Sequence, residues 1–267
     1  MPVPMERVAP FSGREKRAFL RAYTRTFTRN GGDTARAAVV AHQAAAEGAR
    51  RYISTGPRAA RHPLPHRVQS PSRPQRVFVL SPALLSGRRA ELLLRPEARF
   101  ALTARLRSGG VAPVGEVFAF LSGLYFRGKL AYAYAFGSPP ASLPPAFVIT
   151  PSRGLIPTET PVGSVDLEEF RSVPVDPAEP AYRLPLQTSI RALTHAAPDC
   201  EVVLLGSIAT AKYAAVLLSA LEERLLVPVQ FLGRGSMSRG ALMLRAAEQG
   251  DELEYARVLS LPQRRVK

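Results

Sequence analysis

Three consecutive stretches decide the fold class: EVVLLGS (201–207), IATAKYAAVLLSALEER (208–224) and LLVPVQFL (225–232). The first is short and apolar along its length, which suits a strand covered on both faces rather than one with a wet side. The second has the amphipathic spacing of a helix, and the third is apolar again and reads as a strand. This alternation predicts an α/β domain built on a mixed, largely parallel sheet with flanking helices. The same texture begins at Arg76, where RVFVLSPALL predicts a buried strand, a turn and then a helix from about Gly87. The stretches ARFALTARLR (98–107), VGEVFAFLSGLYF (114–126) and PAFVITPSRGLIP (145–157) are apolar and rich in β-forming residues. Residues 185–198 read as helix.

Upstream the pattern differs. Residues 14–29 place Phe19, Tyr23 and Phe27 at i, i+4 and i+8, one face of a helix with arginines around it. Gly31-Gly32 ends that helix, and Asp33 or Thr34 caps an alanine-rich one running through Tyr52. The expected organisation is a basic helical hairpin over 1–53, a Pro/Arg-rich linker over 54–75 and the α/β domain over 76–267. The hairpin is similar to the ChaB family in its aromatic-bearing helix, Gly-Asp turn, alanine-rich helix and closing Arg51-Tyr52.

Composition narrows the function classes. No window of the 267 residues approaches the roughly 18 consecutive apolar residues of a membrane span, and MPVPMERVAPFSGREK lacks the apolar core of a secretory signal. A cytoplasmic protein without a membrane partner is expected. The single cysteine, Cys200, excludes an internal disulfide framework and a cysteine zinc cluster. His42, His62, His66 and His195 are scattered, so neither a metal nor a cofactor is expected. Net charge is +15 and skewed: residues 1–75 hold 14 Arg/Lys against 4 Asp/Glu, the remainder 22 against 17. Such an excess suits a nucleic-acid partner. Only four of the 36 basic residues are lysine, and an Arg/Ala/Pro-heavy composition also follows from a GC-rich genome.

FLGRGSMSRG (231–240) is the strongest candidate site. Its glycines let the backbone approach a ligand, and its free amides, if a helix opens near Ser236, face an anion. Arg234 and Arg239 flank Met237-Ser238, so Arg234, Gly235, Ser236, Ser238 and Arg239 form a phosphate cradle; the alternative is Ser236 as a plain N-cap with surface arginines. Pro82 is expected to end the pairing of the first strand and leave Ser81 at the rim. Ser152-Arg153-Gly154 is expected at the end of a later strand, with Arg153 free to meet a phosphate or a base, and Gly206-Ser207 ends a third. Tyr125, Tyr132 and Tyr134 lie among Arg127 and Lys129, a mixture that suits base stacking, although aromatics in an apolar run more often belong to the core; Tyr125 is the best candidate. Glu159 is a candidate general base for a nucleotide- or nucleobase-processing (glycosidase-like) enzyme, or else part of a solvated acidic loop with Asp166, Glu168 and Glu169.

In order, Leu80-Ser-Pro-Ala83, FLSGLYFRGKLAYAYAF (120–136), ITPSRGLIPTETPV (149–162) and Gly233-Arg-Gly-Ser-Met-Ser-Arg239 resemble the YaaA family, the peroxide-stress-resistance proteins. The resemblance covers 76–240. It departs at Leu84, where the family has lysine, in a shorter middle, and in residues 1–75, which have no counterpart. The turn at 150–157 also resembles the related domain of archaeal tRNA base-modifying enzymes. The resemblance implies a cytosolic α/β protein that binds DNA, ahead of RNA, and limits oxidative damage to it. A nucleotide ligand is the second expectation, and whether the protein is an enzyme is left open.

Overall fold

All five residues of β1 (Arg76–Leu80) are buried, which requires cover on both faces of the sheet. The computed structural model describes residues 74–261 apart from 96, 99, 209 and 210; the hairpin expected over 1–53 and residues 54–73 of the linker lie outside the described residues. After β1 come α1 (Arg88–Leu94), α2 (Ala101–Arg107), β2 (Ala112–Pro113), α3 (Val114–Ser122) and α4 (Leu124–Phe136). The hairpin β3 (Ala146–Thr150) and β4 (Gly154–Pro157) follows, then β5 (Pro161–Val162), α5 (Ser164–Ser172) and α6 (Pro180–Ala196). The chain continues through β6 (Glu201–Leu205), α7 (Ala211–Leu221), β7 (Leu225–Pro228), α8 (Ser236–Gln249) and β8 (Tyr255–Arg257).

Six strands form one sheet in the order β4-β3-β1-β6-β7-β8, and β2 and β5 form a separate antiparallel pair. β3, β1, β6 and β7 are parallel, and β4 and β8 close the edges antiparallel. The expected mixed, largely parallel sheet is what the chain forms. Because side chains alternate along a strand, β1 serves two cores. Phe78 and Leu80 join Val203 and Leu205 of β6 on the face covered by α3, α4 and α8. Val77 and Val79 join Val202 and Leu204 on the face covered by α6 and α7. The chain leaves β1 toward β3 and later returns to β6 on its other side. This reversal makes the C-terminal ends of β1 and β6 the topological switch point, the place where open α/β sheets bind ligands.

Two stretches expected to be β-rich are helical. In 114–126, Val114, Val117, Phe118 and Leu121 are the buried residues at i, i+3, i+4 and i+7, a helical face that the many β-forming residues obscure. In 98–107, Leu102 and Leu106 bury one side of α2. The expected strand over 225–232 shortens at Pro228, after which residues 229–231 make a 3₁₀ turn. α6 starts where Glu179 accepts a hydrogen bond from Ala181 N at 3.0 Å and Pro180 occupies the first turn.

α4 runs antiparallel to β1, from the C-terminal edge of the sheet to Ser138, which pairs with Arg76. It crosses α8 at glycines: a Cβ on Gly128 would lie 2.5 Å from Gly240 O, and one on Gly240 would lie 2.8 Å from Tyr125 Cα. Helix propensity alone favours alanine over glycine by about 0.5–1 kcal/mol. A clash against backbone, with overpacking costs of about 1–3 kcal/mol, outweighs that gain. Gly240→Ala is therefore expected to lower the unfolding free energy by about 1–2 kcal/mol in urea denaturation, against the trend of helix propensity.

Candidate functional site

At the C-terminal edge of the sheet, the chain turns out of β1 at Ser81. Its N–H still donates to Leu205 O at 3.3 Å, so pairing with β6 outlasts the strand by one residue. The side chain is buried rather than at the rim, which corrects the sequence expectation: Pro82 does not release Ser81 to solvent. Gly206 makes this possible, since a Cβ there would come within 3.0 Å of Ser81 Cβ.

Beneath Ser81 lies a residue the sequence analysis did not single out as a site. Lys129 is 1% exposed. Its Nζ donates to Ser81 O at 2.9 Å and to Ser81 Oγ at 2.7 Å. The Tyr125 ring, one turn earlier on α4, covers Nζ with its centroid at 4.1 Å, and the Phe126 ring lies 5.1 Å away. Neither hydrogen-bond partner carries a negative charge. Burial first, and the positive charge of Arg239 second, hold the amine well below the ordinary lysine range. Burial raises the Tyr125 phenol, against the opposing pull of Arg239 and Ser81. Tyr213 on α7 is raised by burial and then by Tyr125, which places it beside the same cluster. Arg239 donates from Nε to Phe231 O at 3.1 Å, and its guanidinium lies 5.3 Å from the Phe231 ring. Ser81, Tyr125 and Arg239, three candidates far apart in sequence, thus meet around Lys129.

The glycine segment forms the outer lip of this cluster. Gly233 has φ +73°, a conformation glycine adopts freely, and no atom crowds a Cβ at Gly233 or Gly235. α8 opens at Ser236 as expected, with Arg239 N donating to Gly235 O at 3.0 Å as an early helical bond. Arg234, Ser236 and Ser238 are exposed, and Arg234 donates to Ser238 Oγ at 3.2 Å. Ser207 follows the end of β6 on the same edge and is half-buried.

The other candidates separate from this cluster. Ser152-Arg153 forms the β3–β4 turn, but Arg153 is held by Asp166 at 2.6 Å and by Glu169, while Ser152 Oγ donates to Glu169 at 2.5 Å. Arg153 thus has carboxylates where a phosphate was expected, and the supposed acidic loop is the helix α5 that supplies them. Gly154, at φ +65°, is a packing glycine: a Cβ would lie 2.3 Å from Pro185 O on α6. Glu159 follows Thr158, whose N–H bonds Ala146 O at the start of β3, a level that pairs with Phe78 in the middle of β1. Three residues along the strands, roughly 10 Å at about 3.3 Å per residue, and two strand spacings of about 4.8 Å separate it from Ser81. Glu159 accepts a hydrogen bond from Tyr134 there and cannot act as base for a ligand in the cradle. Tyr132 is fully buried, bonded to Tyr255 at 2.6 Å and pushed up to about 12 by burial, so it is core rather than a stacking platform. Among the described residues no cluster of His, Cys, Asp and Glu is arranged to hold a metal ion, and no helix is long and apolar enough to cross a membrane.

One sequence signal pointed to Lys129: this chain writes positive charge almost wholly as arginine. Lysine can give up its proton in a buried site and arginine cannot. No family model, no curated protein and no solved structure matches the chain.

The depressed Lys129 has a measurable consequence. Unfolding returns the amine toward its ordinary 10.5, so from the folded value up to 10.5 the unfolded chain binds a proton that the folded chain lacks. Stability therefore rises with pH across that window, by at most about 1.4 kcal/mol per pH unit. Cys200 and the buried tyrosines, all raised, oppose this only above their ordinary values of 9.0 and 10.0. Denaturant unfolding from pH 7 to 9 should show the rise in the wild type and a flatter profile in Lys129→Met. Equal slopes would count against a depressed Lys129.

Proposed function

We propose that the protein binds nucleic acid, DNA before RNA, by gripping phosphates at the C-terminal edge of its sheet, as the YaaA resemblance implies. The observation that carries the reading is where positive charge stands unanswered. Arg76, Arg105, Arg153 and Arg257 are each paired with carboxylates. Arg234 and Arg239 bond a hydroxyl and a carbonyl, and Lys129 bonds only Ser81. Among the described residues no carboxylate neutralises these three cations, and Arg234 stands at the N-terminal end of α8, where helix amides favour anions. The net charge of +15 supports the same partner class. Protection from peroxide damage is the cellular role that the resemblance adds to this reading.

The glycosidase-like alternative loses the carboxylate proposed for it, because Glu159 lies at the opposite end of β3. A nucleotide ligand for the same cradle remains compatible with the cation cluster.

The Arg234→Ala/Arg239→Ala double variant should weaken DNA binding several-fold or more. If both arginines contact phosphates, the slope of log K against log salt should fall by about 2. Arg153→Ala, whose charge is already answered by Asp166 and Glu169, should leave binding and slope unchanged. Titrating fluorescent duplex across a salt series measures all three. Wild-type binding by the double variant would rule the cradle out.

A further inference from the structure

We propose that Lys129 forms an imine, through Nζ, with an aldehyde or ketone that carries a phosphate group. The proposal goes beyond binding and rests on the reading above only for the phosphate grip of Arg239. Two features make an amine nucleophilic at neutral pH: removal from water, and a neighbouring cation that disfavours its protonated form. Lys129 has both, being 1% exposed with Arg239 as the charged neighbour. Its position is fixed as well. As a neutral amine, Nζ donates its two hydrogens to Ser81 O and Ser81 Oγ, which leaves one lone pair. The Tyr125 ring that covers Nζ is itself only half-buried, so a carbonyl would reach the lone pair by displacing that ring.

The step balances without a co-reactant. The lone pair of Nζ attacks the carbonyl carbon, and the carbonyl oxygen takes one nitrogen proton, giving a carbinolamine. The C–O bond then breaks, and the oxygen leaves as water with the second nitrogen proton, giving the C=N bond. The Ser81 hydroxyl, 2.7 Å from Nζ, can relay both protons, since it both donates and accepts. No redox change occurs. Arg239 and the first amides of α8 would hold the phosphate beside the carbonyl, which sets the substrate class as a phosphorylated sugar aldehyde or ketone. That chemistry has two sources: a free sugar phosphate, and the ring-opened sugar of an abasic site in nucleic acid, which is flanked by phosphodiesters.

The full chain is incubated near neutral pH with glyceraldehyde 3-phosphate, or in parallel with an oligonucleotide carrying an abasic site. Sodium borohydride then reduces any imine to a stable amine, and peptide mapping locates it among Lys16, Lys129, Lys212 and Lys267. Lys212 is exposed and serves as the internal reference. The expected result is labelling of Lys129 about tenfold or more above Lys212. A several-fold preference over phosphate-free glyceraldehyde is expected too, and Arg239→Ala should lose it. Labelling by the oligonucleotide identifies nucleic acid as the source, and labelling by the small aldehyde alone identifies a free sugar phosphate. If neither reagent labels Lys129 while Lys212 is modified, the proposal is overturned and Lys129 is a structural donor to the end of β1. Binding of intact DNA, which contains no free carbonyl, is measured separately, so the two readings fail independently.

Discussion

The contact between Gly128 and Gly240 sets the geometry of this end of the molecule. Two helices from distant parts of the chain meet there backbone to backbone, closer than any side chain would allow. With a side chain at either position α8 would move outward, and Arg239, the next residue before Gly240, would move with it. Lys129 follows Gly128 directly, so the same contact fixes both cations of the cluster. A packing constraint between two glycines therefore determines an electrostatic one.

That electrostatic arrangement is unfavourable within the isolated fold. A buried amine beside a guanidinium, with no carboxylate to answer either, costs stability, and proteins ordinarily pair or neutralise such groups. Several other arginines are paired with carboxylates. At the opposite end of β1, Arg76 is bracketed by Glu201 and Glu252 and lies over the Tyr255 ring at 4.5 Å. The two ends of one strand thus carry opposite solutions: a satisfied ion network at the N-terminal end and an unsatisfied cation pair at the C-terminal end. The proposed anion site draws on this uncompensated charge, at the edge where α/β sheets bind ligands.

Much of the frame was legible because its strands are short and apolar but for an end residue. RVFVL, AFVIT and EVVLL have few helical alternatives, and the α8 start at Ser236 follows from the glycines before it. Residues 114–126 were not legible by composition, because Val, Phe and Tyr favour strands locally. The spacing of Val114, Val117, Phe118 and Leu121 carries the helical signal, and tertiary burial of that face decides the outcome. The cradle was legible as a cluster of residue types, but its partners were only partly so. Ser81, Tyr125 and Arg239 were found separately, as strand-end and motif residues. Their convergence depends on how α4 and α8 cross, which no local pattern encodes.

Arg153 and Lys129 show why residue type alone misassigns a site. On sequence, Arg153 was a candidate ligand contact and Lys129 only one of the cations interleaved with the tyrosines of 125–134. What separates them is whether a counter-charge is at hand. α5 presents Asp166 and Glu169 to Arg153; Asp166 is held below its usual range first by the Gly163 N–H and then by Arg153, and Glu169 by Arg153 and Ser152. α4 offers Lys129 only aromatic rings and the end of β1. The arginine is satisfied by its own protein, at a partly exposed position where such a pair adds little to stability. The lysine has no such partner, and an incoming anion or carbonyl would meet a group whose protonation state is still free to change. The proposed function therefore rests on the cation that folding leaves unanswered.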